Sequence, residues 1–194
     1  EQGPAYYLME IEERGVALRG FVGMLEIVEK NRPASFEIAA ETEVLDRMRQ
    51  LESLGLQTAP VTIGFRSDAN VSAQLERIEE RIAAGKPVSE LKTHDGAVVR
   101  TWRVPAEETE IEPLLSRKRS VILDGTARYE AAARVARRLE ESDKTPSPLH
   151  AYRFVLAWML DLAAEPITFR ARHRALRTGA VSGQWLPGLD ATSA

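Results

Sequence analysis

With 194 residues, 44% hydrophobic and 28% charged, the chain can build one well-cored domain and has the balance of an ordinary globular protein. A formal net charge of −3 gives no global drive toward nucleic acid or anionic lipid, and the lack of cysteine excludes disulfides, thiolate zinc sites and a thiol nucleophile. No apolar run approaches the roughly 18–20 residues of a membrane helix, and Glu1 opens no basic or apolar leader, so a cytoplasmic protein without signal peptide or membrane partner is expected.

Ala5 to Ile11 and Val16 to Val28 are rich in aliphatic and aromatic residues and flank Glu12-Glu13-Arg14-Gly15, which predicts two strands joined by a glycine turn. Asn31 to Ser35 reads as a loop. Val44, Leu45, Met48, Leu51 and Leu54 recur at helical spacing from Glu41 to Leu54, and Gly55 stops that helix. Pro60 to Phe65 reads as a short buried strand. Val71, Leu75, Ile78 and Ile82 stripe a second helix over Val71 to Ala84. Val88 to Lys92 and Val98 to Val104 flank Asp95-Gly96 as a hairpin, and Pro105 to Ser116 opens with proline and acid like a helix start.

Ser120 to Leu123 is a short apolar strand, Asp124-Gly125 a turn, and Thr126 to Glu141 a helix. After the loop from Asp143 to Pro148, Tyr152 to Leu162 is a long strand that Pro166 to Arg170 could return beside. Periodicity fades from Thr178. Hairpins outnumber βαβ units, so the expected fold is α+β, a mixed sheet with flanking helices. One domain is expected over residues 1–177, with a loosely ordered tail over 178–194.

The segment that carries chemistry is Ser120-Val-Ile-Leu-Asp-Gly-Thr-Ala-Arg-Tyr-Glu130. A strand ending at Asp124, a glycine that lets a ligand approach the backbone, and a helix start with unpaired N–H groups make an anion site. Arg128 opposes the helix dipole, at about 0.3–1 kcal/mol. It heads the apolar stripe Ala132, Val135 and Leu139, so it points inward and needs a negative partner. A plainer reading stays open: Asp124 as N-cap, with Arg128 paired to Asp124 or Glu41 inside the fold.

This segment resembles the bacterial and archaeal domain-of-unknown-function family ten-fifteen, whose signature reads Asp-Gly-His-His-Arg-Tyr-Glu, and through it the ParB/sulfiredoxin-like superfamily. Ala5-Tyr-Tyr-Leu to Gly23, Ala40 to Arg49, Ala59 to Phe65, and Tyr152 to Arg174 follow the family's pattern in the same order, covering most of residues 5 to 176. The signature histidines are Thr126 and Ala127 here, and the histidine before Glu41 is Ala40. The resemblance implies a ParB/sulfiredoxin-like fold and a small phosphate-bearing ligand, with a nucleotide and magnesium as the cofactors to expect. Asp124, Gly125, Thr126, Arg128, Tyr129 and His173 would bind it. Glu41 and Asp124 are the candidate catalytic carboxylates. Loss of the imidazoles that move protons near neutral pH opens the alternative of a non-catalytic interaction module and sets a free-serine-type kinase third.

His94 and His150 lie in turn and loop segments and read as structural, and the three histidines share no metal-ligand spacing. Trp102 and Trp158 read as core. Arg134, Arg137 and Arg138 read as a solvated face balanced by glutamates. With Arg170, Arg172, Arg174 and Arg177 they make the most basic region, and a nucleic-acid surface there, which the superfamily resemblance leaves open, has no interleaved aromatics to support it. The sequence leaves the oligomeric state open.

Overall fold

A computed structural model of the chain describes residues 3–106, 111–115, 118–145 and 147–164. It shows an α+β fold with a mixed eight-stranded sheet and flanking helices. β1 (Ala5–Glu13) and β2 (Val16–Glu26) form the opening hairpin. Arg14 and Gly15 both take positive φ, 54° and 81°, the backbone hand that matches strand twist in a two-residue turn. β6 (Val98–Pro105) lies antiparallel on the other side of β1, and β5 (Ser89–Lys92) closes that edge.

The other half holds β4 (Val61–Phe65), antiparallel to β7 (Ser120–Asp124), with the two-residue β3 (Ala34–Ser35) parallel to β7 at the far edge. β8 (Phe154–Asp161) joins the halves, antiparallel to β2 and parallel to β4. The spatial order is therefore β3-β7-β4-β8-β2-β1-β6-β5.

Strand register puts Leu8, Phe21, Trp102, Ile63, Ile122 and Ala157 on one face, because side chains alternate along each strand and paired residues share a side. Two helices cover that face. α2 (Ala69–Ala83) inserts Leu75 among Leu8, Phe21, Phe65 and Trp102. Its start is fixed by the Asp68 side chain, which accepts from the N–H groups of Asn70 and Val71, both at 3.0 Å. α4 (Thr126–Ser142) lays Tyr129, Ala132 and Ala133 over Val61, Ile63, Ile122, Val155 and Ala157. Its alanines let the helix sit close to the strands. α1 (Glu41–Leu54) packs on α4 through Val44 against Ala127 and Ala131, and ends at Gly55 in the left-handed region. α3 (Ile111–Leu115) adds Ile111 to the α2 cluster.

The same register places a charge among the apolar groups. Glu10 is 4% exposed and lies between Arg19 of β2 and Arg100 of β6, which donate to it at 2.6 and 2.8 Å. Arg100 also reaches Glu12 and Glu90. Burial pushes the Glu10 carboxyl up, but hydrogen bonds from Arg100 and Arg19 outweigh it and hold it below the usual carboxylate range.

The structure departs from the sequence expectations in four places. Residues 31–35 are not all loop: a 3₁₀ turn ends at Asn31, and Ala34–Ser35 joins β7. That pairing depends on a strand some 90 residues away, which no local pattern announces. Pro105 is the last residue of β6, where a residue without an N–H is tolerated because the ladder ends, and α3 is described over Ile111–Leu115, with residues 107–110 outside the described residues. α2 begins two residues before Val71, at Ala69 behind its Asp68 cap. Residues 151–153 form a 3₁₀ turn before β8 starts at Phe154. The return strand at 166–170, His173 and the tail lie outside the described residues. No helix among the described residues is long and apolar enough to cross a membrane.

Candidate functional site

The β7–α4 junction forms because an apolar strand, Ser120–Asp124, meets a glycine that can reverse the chain. Gly125 takes φ +90°, and the first helical bond runs from the Tyr129 N–H to the Gly125 carbonyl at 3.0 Å. Gly125 is itself the N-cap, so no side chain caps α4. This corrects the reading of Asp124 as N-cap. Asp124 is still strand, and its carboxylate turns instead to Arg128.

Arg128 folds back over the turn. Its Nη2 donates to Asp124 Oδ2 at 2.6 Å, and a methyl group on Gly125 would lie 2.6 Å from that same nitrogen. The two partners are unequal. The Asp124 side chain is 73% exposed and that of Arg128 28%. An exposed i,i+4 pair contributes only about 0.3–0.5 kcal/mol. The Nε of Arg128 is buried and has no hydrogen-bond partner among the described residues. Arg47 and Gln50 of α1 share with Arg128 a cleft of about 30 Å³, room for a single water.

Thr126 is buried, with its hydroxyl 3.1 Å from that of Ser35 on β3. Tyr129 is 1% exposed inside the core, with Arg32 5.7 Å above its ring and its hydroxyl pushed up chiefly by burial. It supports the junction from beneath. Glu130 pairs with Arg32. Glu41 does not meet Arg128. Both its oxygens are held by Arg134, at 2.6 and 2.8 Å, and that hydrogen bonding keeps its carboxyl below the usual range. The structure thus brings together Asp124, Gly125, Thr126 and Arg128, and holds Glu41 on Arg134, six residues further along α4. The basic run of α4 is balanced as expected: Arg134 by Glu41, Arg137 by Glu29, Arg138 by Glu52. Among the described residues no group of three or more His, Cys, Asp or Glu could hold a metal.

A larger opening of about 600 Å³ adjoins the small cleft and shares Leu51, Leu56, Gln57 and Ala132 with it. No local pattern announced it, because it forms where α1, α4, the loop after Gly55, β2 and β8 converge. Gln57 is the residue that shapes it. Its side-chain amide donates to the Phe154 carbonyl at 2.9 Å and accepts from the Leu156 N–H at 2.7 Å. It thereby pairs with β8 ahead of β4, fixing the loop beside the strand.

A family model matches residues 1–186, nearly the whole chain. The chain belongs to DUF1015, described as a protein of unknown function. No curated protein and no solved structure matches it. The DUF1015 match spans both halves of the sheet and the junction of β7 with α4, so the site described above lies within the family's own domain.

Proposed function

We propose that this DUF1015 domain binds a small phosphate-bearing molecule at the Asp124–Arg128 turn, with Arg128 as the receiving cation. The observation that carries this reading is the unequal partnership of that guanidinium. One of its nitrogens is held by an exposed carboxylate, and its Nε is buried without a partner among the described residues. Leaving a buried donor unmade costs about 1–3 kcal/mol. A ligand anion that displaces Asp124 takes Nε and Nη2 together, the two-point geometry that makes guanidinium–phosphate pairs strong. The uncapped start of α4 adds its N–H groups to the same side.

The order of motifs supports a ParB/sulfiredoxin-like kinship, in which the anion is a nucleotide phosphate accompanied by magnesium. Asp124, once released, is then the nearest carboxylate to orient it, while Glu41 must first leave Arg134. Titration calorimetry with ATP, ADP, CTP and simple phosphate esters, with and without magnesium, tests the reading. Arg128→Gln is expected to weaken binding at least tenfold. Equal affinity of that variant, or silence toward every phosphate compound, overturns it.

A second reading rests on a different observation. Phe36 and Ile38, 89% and 98% exposed, follow β3 beside Thr126. Large apolar side chains so placed suit a partner surface, with the Asp124–Arg128 pair a closed remnant of a site. Sedimentation analysis that finds the chain monomeric, together with phosphate binding lost in Arg128→Gln, excludes this second reading. A free-serine-type kinase ranks third, because Thr126 and Ala127 stand where the family signature has histidines.

A further inference from the structure

The 600 Å³ opening is within the size range of small-ligand sites. Its walls are mostly apolar: Leu51 from α1, Val135 and Leu139 from α4, Met24 from β2, and Phe154 and Leu156 from β8. Met24 is 52% exposed and Leu139 38%, so much of this apolar surface meets solvent. The polar groups around it are already committed. The Gln57 amide is bonded to β8 at both ends, the Tyr152 hydroxyl donates to Asp143 at 2.7 Å, and Arg138 pairs with Glu52. A nucleobase placed here would give up water hydrogen bonds over a mostly apolar wall, with Arg138 and Glu52 left to replace them. An alkyl or aryl group loses nothing.

One end of this opening leads to Arg128. Arg128, Ala132, Val135 and Leu139 follow one another on a single face of α4, and Ala132 belongs to both openings. The helical rise sets Arg128 roughly 16 Å from Leu139 along the axis. At the Arg128 end stand its Nε, unpartnered among the described residues, and, on α1, Arg47. A cationic end and an apolar end joined along one helix face complement an amphiphile with a negative head.

We infer that the α1–α4 cleft binds a soluble amphiphilic anion, an alkyl or aryl phosphate, with its head on Arg128 and its apolar body in the opening lined by Leu51, Val135 and Leu139. This rests on the Arg128 reading above and names an apolar phosphate ester as the ligand class of that site. Alanine at position 132 is what joins the two ends, since a larger side chain there would fill the shared wall.

Calorimetry of the full chain with octyl phosphate, inorganic phosphate and octanol tests it. Octyl phosphate is expected to bind at least tenfold more tightly than either of the others. Leu139→Trp, which fills the apolar end, is expected to weaken octyl phosphate at least tenfold and leave inorganic phosphate unchanged. Met24→Trp does the same from a different element if the helix variant melts early. Octyl phosphate binding no more tightly than inorganic phosphate overturns the amphiphile and leaves the Arg128 site standing. Octanol equalling octyl phosphate overturns the joined head and tail. No binding of octyl phosphate or phosphate overturns both readings together.

Discussion

Gly125 carries two demands at one Cα. Its φ of +90° lies where a Cβ costs about 1 kcal/mol or more, and the guanidinium of Arg128 occupies the space a Cβ would enter. Gly125→Ala is therefore expected to lower stability by about 1–2 kcal/mol in urea titration and, by pushing Arg128 off the turn, to weaken phosphate binding. Retained affinity in that variant would separate the turn from the ligand. Glu10 makes the second residue-scale case. Its carboxyl is held below an unfolded value of about 4.3, so its contribution is complete above that value and is lost as pH falls through the lower folded one. Glu10→Gln is expected to remove about 1–2 kcal/mol at neutral pH. The figure is modest because Arg19 and Arg100 keep about a third of their side chains exposed. The variant should also flatten the loss of stability on acidification below the usual carboxylate range. A chain whose acid unfolding keeps its steepness after the change would refute the role of this carboxyl.

Among the elements, β2 holds a position with no room for a side chain. A Cβ on Gly20 would overlap the Met159 carbonyl oxygen of β8 and crowd Leu160 and the Trp158 indole. Backbone cannot yield as a side chain can, so Gly20→Ala is expected to destabilise by about 3 kcal/mol or more, read as a lowered denaturation midpoint. α1 and α4 were legible in the sequence almost to the residue, because Val44, Met48 and Leu51 in one and Ala132 and Val135 in the other repeat at the helical period, and Gly55 and Gly125 mark their ends. The β1–β2 and β5–β6 hairpins were equally plain from their turns. β3 was not, since two residues at a sheet edge have no period and owe their state to β7. The junction at Asp124–Arg128 was legible as a place. Which carboxylate Arg128 would meet was not, because Glu41 reaches α4 through a helix crossing that puts it on Arg134. The large opening was invisible for the same reason: its walls come from α1, α4, β2, β8 and the loop after Gly55, and are made by their angles.

For the molecule as a whole, the arrangement of strands has a consequence in time. β8 pairs with β2 through six residue positions and with β4 through five, and the order of the described strands offers no other link between the two half-sheets. Yet residues 154–161 leave the ribosome after every other strand described here. Until they emerge, β2 and β4 each present a bare row of N–H and C=O groups to whatever chain passes by. The growing polypeptide must keep two unfinished edges apart until its final described strand arrives to close them. A chain ended at residue 150 is expected to collect as aggregates while the full one stays dispersed, which light scattering during synthesis in a cell-free lysate would show. Cells making this protein would then depend on holding the nascent chain through the interval between the first hairpin and the closing strand.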